Sequence, residues 1–209
     1  MMHVRLSLIT ADQQVLARCL GFLKGEARPA LESQRGSLGL SILAAQEPGA
    51  AIVESFWATP EALWLSAETD DLVRAELGRR VGQPVTAEEF EVPVFERKAP
   101  LRSGEAVRLT RVEVRPLGVP DVIDVYGDTA VPQLADTPGF RAALLFAAAA
   151  TGRLTSQTVW RQPAARTAGP SVASVLKREV LPEEVCEIRG VEDYSLVFSS
   201  ARKPTVPPD

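Results

Sequence analysis

The sequence is poor in the side chains on which most catalytic and metal-binding sites depend. Its 209 residues include one histidine, His3, and two cysteines, Cys19 and Cys186. A histidine-based catalytic triad or a multi-histidine metal site needs more than this, so both classes are excluded. We expect both thiols to be buried, inert and reduced, which is typical of a reducing compartment such as the cytoplasm. We also expect no metal and no bound cofactor.

Basic runs and long apolar runs are missing as well. The net charge is −4, and no cluster of lysine and arginine could neutralise a row of phosphates, so we expect neither a nucleic-acid nor a membrane partner. No apolar stretch approaches the roughly 20 residues of a membrane span, and residues 1–10 do not resemble a signal peptide. The glycine-rich motifs that bind nucleotide phosphates are absent too. These absences favour a cytoplasmic protein without a nucleotide cofactor.

What the sequence does contain is a tandem duplication. Residues 36–57, GSLGLSILAAQEPGAAIVESFW, return as residues 139–160, GFRAALLFAAAATGRLTSQTVW. Trp57 and Trp160 are 103 positions apart, and the same offset relates VRLS near the N-terminus to VRLT at residues 107–110. An ungapped internal repeat of this length predicts two copies of one structural unit. We place the first copy at residues 1–98 and the second at 99–209, with a disordered tail from about residue 202.

The hydrophobic pattern of each copy predicts the element order β-α-β-β-α-β, which is the ferredoxin-like arrangement. In such a unit both helices cover one face of the sheet, and the other face needs a partner. Apolar residues at alternate strand positions are expected to supply that second face: Ile9, Gly39, Leu43 and Phe56 in the first copy, and Val112, Val114, Leu145 and Val159 in the second. The predicted fold is therefore α+β, with two ferredoxin-like repeats forming one barrel within a single chain. Further homodimerisation stays open.

A short motif closes the third strand of each copy and opens its second helix. It reads Trp-x-x-Pro-x-Ala, from Trp57 to Ala62 and again from Trp160 to Ala165. In this setting the chain resembles the antibiotic biosynthesis monooxygenase group of the dimeric α+β barrel superfamily. The resemblance implies a barrel that is usually built from two chains, with a small-molecule pocket between each sheet and its helices. Some members oxygenate aromatic polyketide intermediates without a metal or flavin, and others degrade haem.

Haem degradation is not expected for this chain. The haem-degrading relatives carry a histidine on the second helix, after the tryptophan. The corresponding windows, residues 63–71 and 166–174, contain none.

The most informative polar residues are Arg5 and Arg108, which occupy equivalent positions on the first strand of each copy. We expect both side chains to point toward the second sheet, together with Ser7 and Thr110. A buried charge needs a partner, and Glu54 or Gln157 on the neighbouring strand could provide one. Each arginine is either part of a structural ion pair or part of a site that stabilises an enolate or phenolate.

Four aromatic residues complete the candidate substrate-binding set. Trp57 and Trp160 either stack against a flat aromatic ligand or simply pack the corner between strand and helix. Tyr126 and Tyr194 either donate a hydrogen bond to a substrate oxygen or pack in the core. No residue is assigned as catalytic.

Two functional hypotheses follow. The first is a cofactor-independent monooxygenase-like enzyme that acts on a small aromatic or polyketide-type molecule, so that the ligand is the main partner. The second is a non-catalytic barrel that binds a small molecule or has a structural role. Fold analogy does not choose between them. The sequence leaves the substrate and the choice between the two pockets open.

Overall fold

A computed structural model of the chain describes residues 1–45, 49–168, 171–179 and 186–204. The first repeat has the predicted order of elements, with its helices divided into shorter segments. Its elements are β1 (Met2–Thr10), α1 (Gln13–Phe22), a π turn (Leu23–Ala27), α2 (Arg28–Glu32), β2 (Ser37–Ala45), β3 (Ala50–Trp57), α3 (Pro60–Leu65), α4 (Ala67–Val81) and β4 (Ala87–Arg97).

The second repeat follows the same order. Its elements are β5 (Ala106–Val114), a 3₁₀ turn (Pro116–Gly118), α5 (Val119–Val125), a π turn (Tyr126–Ala130), α6 (Val131–Ala135), β6 (Phe140–Ala148), a 3₁₀ turn (Ala149–Thr151), β7 (Arg153–Trp160), α7 (Pro163–Ala168), α8 (Val172–Glu179) and β8 (Cys186–Ser199). Helix α7 begins at Pro163 of the repeated Trp-x-x-Pro-x-Ala motif.

The eight strands are hydrogen-bonded in the order β1-β3-β2-β8-β5-β7-β6-β4, and this order closes on itself as a barrel. The strand pairs β1–β3, β2–β3, β4–β6, β5–β7, β5–β8 and β6–β7 are antiparallel. The predicted fold class, an α+β barrel built from two ferredoxin-like repeats, is confirmed.

The chain divides into two compact units that differ from the two sequence repeats. The first unit comprises residues 1–89 together with the C-terminal residues from 197, and the second comprises residues 90–196. Strands β4 and β8 therefore each begin in one unit and end in the other. The repeat boundary at residue 98 stays a prediction about the duplication.

In the first unit, strand β3 lies between β1 and β2, and the chain after β8 extends the sheet beyond β2. The backbone N–H of Ser200 donates to the carbonyl of Leu40 (2.8 Å), and that of Arg202 to the carbonyl of Leu38 (3.0 Å). The chain is thus paired as far as Arg202, whereas residues 205–209 of the predicted disordered tail lie outside the described residues.

The hydrophobic core of the first unit lies between the sheet and the helices. Its buried residues are Ile9, Leu16, Cys19, Leu23, Ala27, Leu31, Leu40, Ile42, Ala51, Val53, Trp57, Ala62, Leu63, Val73, Leu77 and Val85. The membership of Ile9 corrects the sequence analysis, which assigned this side chain to the opposite face of the sheet.

The second unit has a matching core between its sheet and helices, and three further predictions fail there. Val112, Val114 and Leu145 pack in this helix-facing core, although the sequence analysis placed them on the other face. The reason is that both faces of these strands are apolar, so alternation alone does not identify the face that meets the helices.

Each first helix contains a wide turn immediately before a proline. In the first copy the N–H of Arg28 donates to the carbonyl of Leu23, one residue beyond α-helical spacing, and Pro29 follows. In the second copy the N–H of Val131 donates to the carbonyl of Tyr126, and Pro132 follows. Proline cannot donate a hydrogen bond and crowds the preceding turn, so each helix is interrupted by a π turn rather than by a break in the chain.

The second helix of the first copy is divided at Ser66, which caps α3 and precedes α4. This division changes which residues face the core. Leu63, Val73 and Leu77 are buried, whereas Leu65 and Leu72 are exposed. Among the described residues, no helix is both long and apolar enough to cross a membrane.

Candidate functional site: a cationic cavity in the second unit

The second unit contains a cavity of about 210 Å³ between its sheet and its helices. Strands β5 and β7 form its floor, and helices α6, α7 and α8 contribute its walls. Its lining residues are Arg108, Thr110, Leu134, Thr158, Trp160, Arg166, Thr167, Ser171 and Val172. Three of the predicted site residues, Arg108, Thr110 and Trp160, are thus brought together.

Two arginines of the cavity share one carboxylate. Arg108 on β5 forms a bidentate pair with Asp193 on β8, with Nε–Oδ1 at 2.9 Å and Nη2–Oδ2 at 3.1 Å. Arg166 on α7 approaches the same carboxylate, with Nη2–Oδ2 at 3.0 Å. Two positive charges against one negative charge leave a net charge of +1 beside the cavity.

Arg166 is the less satisfied of the two arginines. Its side chain is only 10% exposed. Its Nε and Nη1 atoms are buried and have no hydrogen-bond acceptor among the described residues. Buried donors without acceptors cost free energy, roughly 1–3 kcal/mol each and more for a charged group. This guanidinium therefore favours a ligand that brings acceptor oxygens.

Hydroxyl groups and an indole surround the arginines. The Thr158 hydroxyl accepts a hydrogen bond from Nε1 of Trp160 (3.1 Å), and the Trp160 ring packs edge-on against Phe140. The Ser171 hydroxyl accepts from the backbone N–H of Ser174 (3.4 Å) in the first turn of α8. Helix α8 thus begins at the cavity, where its positive dipole end adds to the attraction for an anion.

The cavity is poor in groups that exchange protons near neutral pH. Among the described residues that line it, none is histidine, cysteine, tyrosine, aspartate or glutamate. The lining can bind and orient an anion, but it offers no general base.

In the first unit, Arg5 occupies the position equivalent to Arg108. Each of its three guanidinium nitrogens donates a hydrogen bond to an acceptor of the same unit. Its Nε donates to Glu89 (2.9 Å), its Nη1 to the Ser66 hydroxyl (3.0 Å) and its Nη2 to the Leu63 carbonyl (3.0 Å). The Asp70 carboxylate lies 3.6 Å from Nη1. Arg5 thus forms ion pairs with Glu89 and Asp70 within the first unit.

The substitutions between the copies explain this difference. At the offset of 103, the helix position of Leu63 becomes Arg166, and the position of Ser66 becomes Gly169. The position of Asp70 becomes Ala173, or Ser174 if the single inserted residue of the second copy comes earlier. The second copy has thus gained a guanidinium and lost a hydroxyl and a carboxylate.

The predicted direction of the two arginines is wrong. Arg5 contacts α3 and α4, and Arg108 lines the cavity beside α7 and α8, so both point toward the helices instead of the second sheet. The expected partners are wrong as well. In the strand register, Glu54 lies opposite Leu6 and Gln157 opposite Leu109, which places both on the other face from the arginines.

The remaining predicted site residues are buried elsewhere. The hydroxyl of Tyr126 donates to the Leu144 carbonyl (2.9 Å), and burial raises the pKa of this phenol well above its ordinary value. The hydroxyl of Tyr194 donates to Glu192 (2.7 Å). Ser7 is buried on β1, and Nε1 of Trp57 donates to the Ser55 hydroxyl (3.2 Å). None of the four lines the described cavity.

The sequence analysis missed Arg166, the cavity residue whose buried donors lack acceptors among the described residues. The available signal was the duplication itself, because a leucine that becomes an arginine at an otherwise buried helix position indicates a changed role. Thr158, Thr167, Ser171 and the carboxylate of Asp193 were also missed, since hydroxyls and single acids are common on any strand or helix.

The two cysteines are free, buried thiols. Burial raises the pKa of each thiol, while neighbouring cationic side chains act in the opposite direction. Thiols of raised pKa are poor nucleophiles at neutral pH. In the described part of the chain, no cluster of three or more histidine, cysteine, aspartate or glutamate side chains is arranged to hold a metal ion.

The fold resembles that of solved α+β proteins, several of which are named as monooxygenases or as related to them. A protein from Fusobacterium nucleatum that is named as a monooxygenase superposes with a TM-score of 0.71 at 9% identity. The superposition covers 96% of this chain and 94% of that one. An anthrone oxidase-like protein superposes with a TM-score of 0.65 at 16% identity, covering 98% and 95%. A Listeria monocytogenes protein related to antibiotic biosynthesis monooxygenases gives 0.51 at 11% identity, covering 94% and 95%.

Similarity in sequence leads to a different set of proteins. The uncharacterised protein Rv2557 of Mycobacterium tuberculosis is 26% identical over 202 residues, covering 97% of this chain and 90% of that protein. No protein-family model matches the chain. The structural likeness, at these low identities, establishes the fold.

Proposed function

We propose that this protein is a monooxygenase-like enzyme that acts on a small aromatic molecule, bound as an anion in the cavity of the second unit. The observation that carries the proposal is the pair of guanidiniums, Arg108 and Arg166, that share the single carboxylate of Asp193. A cavity with a net positive charge and unsatisfied donors selects an anion.

The size of the cavity restricts the ligand. Pockets for drug-sized ligands measure about 300–1,000 Å³, whereas this one measures about 210 Å³. The ligand should therefore contain a single aromatic ring, smaller than a tricyclic polyketide product. Trp160 and Leu134 offer apolar contact for such a ring, and the arginines and hydroxyls offer contacts for its oxygens.

The chemistry that suits this lining starts from the substrate's own anion. Two guanidiniums lower the pKa of a bound phenol and hold its phenolate, so that no general base is required. Transfer of electrons from the phenolate ring to dioxygen would place one oxygen atom on the ring and release the other as water. The balance is one phenol plus one O₂ giving one quinone plus one water, in which the ring loses four electrons and O₂ gains four.

The alternative is a binding protein without catalytic activity. The lack of a titratable acid or base in the described lining favours it, because many oxidations need a proton acceptor. Both hypotheses use the same cavity and predict the same binding, and they differ in whether oxygen is consumed.

The test combines binding with oxygen uptake. Small phenols and quinols are added to purified protein without cofactor, with tryptophan fluorescence reporting binding and an oxygen electrode reporting turnover. Arg166→Leu, which installs the residue of the first copy, should abolish both signals, and Arg161→Ala, at an exposed neighbouring position, should change neither. Binding without oxygen uptake would favour the binding protein, and failure of every phenol to bind would refute the proposal.

A further inference from the structure

We infer that the ligand of this cavity carries a carboxylate and that each chain binds one such ligand, because the first unit holds its equivalent arginine with a carboxylate that the second unit lacks. This inference rests on the proposed function and specifies its substrate class as an aromatic hydroxy acid. The carboxylate takes the place of the phenolate as the group that the arginines hold, and the ring is the part of the molecule that is oxidised.

Two ion pairs occupy equivalent positions in the two repeats. Arg5 pairs with Glu89, and Arg108 pairs with Asp193. Arg108 lies 103 positions after Arg5, and Asp193 lies 104 positions after Glu89, since one residue is inserted in between. Each repeat therefore provides its strand arginine with one strand carboxylate.

The first unit provides a further carboxylate beside its strand arginine. Asp70 on α4 is buried and lies 3.6 Å from Nη1 of Arg5. Arg74 holds it from the other side, with Nε–Oδ2 at 2.7 Å. The counterpart in the second copy is Ala173 or Ser174, and neither is acidic.

The second unit keeps an unbalanced positive charge. Arg5 and Arg74 of the first unit together contact Glu89, Asp70 and Asp71, so that two cations meet three carboxylates. Arg108 and Arg166 contact only Asp193 among the described residues, and one positive charge remains. A monocarboxylate would neutralise that charge, whereas a phosphate dianion would overcompensate it.

The unsatisfied donors of Arg166 favour a charged acceptor. Its Nε and Nη1 atoms have no acceptors among the described residues. They lie on different edges of the guanidinium, because Nη2, which contacts Asp193, is the nitrogen that shares an edge with Nε. A carboxylate oxygen that accepts from either donor also neutralises the guanidinium, which a neutral phenol does not.

Titration calorimetry of the full chain tests the ligand class. Benzoate and 4-hydroxybenzoate should bind with one site per chain, and benzamide, phenol and inorganic phosphate at least about tenfold more weakly, since a lost charge-assisted bond of ~1.4 kcal/mol or more corresponds to tenfold. Arg166→Leu should weaken benzoate binding by about 10- to 100-fold. Arg161→Ala serves as the matched control, with unchanged affinity expected.

A second variant tests the site of the first unit, where Asp70 is the internal carboxylate beside Arg5. Asp70→Ala in the Arg166→Leu background removes the internal carboxylate and leaves space for a small one, and acetate should then raise the melting temperature of the variant. A variant that folds but gains no stabilisation from acetate overturns the assignment of Asp70 as the internal counterpart. If it fails to fold alone, its refolding in acetate and not in acetamide is the supporting result, and refolding in neither is the contrary one.

The outcomes separate this inference from the proposed function. Phenols that bind and consume oxygen while carboxylates do not bind would overturn the carboxylate and leave the proposed function standing. Phosphate that binds as tightly as benzoate would also overturn it. If neither phenols nor carboxylates bind, both conclusions fail.

Discussion

Arg108 and Asp193 face each other directly in the register of strands β5 and β8, and their side chains form a bidentate pair across the two strands. A guanidinium fixed in this way has little freedom to rotate, so one edge of Asp193 stays available to Arg166. The strand pairing thus positions the cationic groups of the cavity before any ligand arrives, which lowers the cost of binding.

The two equivalent arginines should differ in their contribution to stability. Arg5→Met leaves the buried Asp70 with Arg74 alone, and breaking a buried pair costs about 3–5 kcal/mol, with the lower end expected because one partner remains. Arg108→Met leaves Asp193 with Arg166, and both members of the lost pair are about one-third exposed, so roughly 1 kcal/mol is expected. Urea unfolding at neutral pH measures the free energy of unfolding of both variants. An equal loss of stability would contradict the difference between a buried ion pair at Arg5 and a partly exposed one at Arg108.

The repeated motif Trp-x-x-Pro-x-Ala has a packing role that can be tested at a glycine. A Cβ at Gly36 would lie 2.6 Å from the Cβ of Ala62, and the backbone there has φ +79°. Gly36→Ala should therefore cost the strain of a positive φ, about 1–2 kcal/mol, plus about 1–3 kcal/mol for the clash. Gly82→Ala is the matched control, because Gly82 has φ +76° and open space around it.

Thermal or urea unfolding of the two glycine variants separates the backbone strain of a positive φ from the steric clash with Ala62. Gly36→Ala should be the less stable variant, and Ala62→Gly in the same chain should recover part of the difference. Equal stability of Gly36→Ala and Gly82→Ala would show that the contact with Ala62 is unimportant.

Tyr126 should make stability fall at alkaline pH. Burial raises the pKa of its phenol in the folded protein, while in the unfolded chain the phenol ionises near pH 10. The folded state then holds a proton that the unfolded state loses, so the stabilisation is complete below about pH 10 and is lost as pH rises toward the folded pKa, by at most ~1.4 kcal/mol per pH unit.

Tyr126→Phe isolates this contribution. At pH 8 the variant should be about 1 kcal/mol less stable, because the hydrogen bond to the Leu144 carbonyl is lost. Between pH 9 and 11 the difference in the free energy of unfolding between wild type and variant should shrink and then reverse in sign. A gap that stays constant in denaturant titrations at pH 8, 9, 10 and 11 would contradict the assignment.

The two sequence repeats should not fold as separate fragments. Residues 1–98 lack the segment whose Ser200 and Arg202 pair with β2. Residues 99–209 lack β4, which pairs with β6 from Glu91 to Arg97. Each fragment alone should therefore give no cooperative unfolding transition, and mixing the two should restore one. A cooperative, monomeric transition in either isolated fragment would show that the missing strand is dispensable.

The sequence predicts the element order well because the duplication reports each element twice. The faces of the strands were harder to predict. Arg5 and Arg108 alternate with apolar residues, but apolar residues occupy both faces of these strands, so the pattern does not reveal which face the helices cover. Arg166 was missed because its importance depends on the distance to Asp193, a residue from a different strand.

The π turns indicate which structural features of the chain are older than the duplication. They occupy residues 23–27 and 126–130, so they are separated by the same offset of 103 as the tryptophans. Each π turn is followed by a helix segment with proline at its second position, Pro29 in the first copy and Pro132 in the second. Because both copies carry this arrangement at matching positions, it preceded the duplication. Arg166 has no such counterpart, so the cationic cavity was acquired, or its equivalent lost, only after the two copies had begun to diverge.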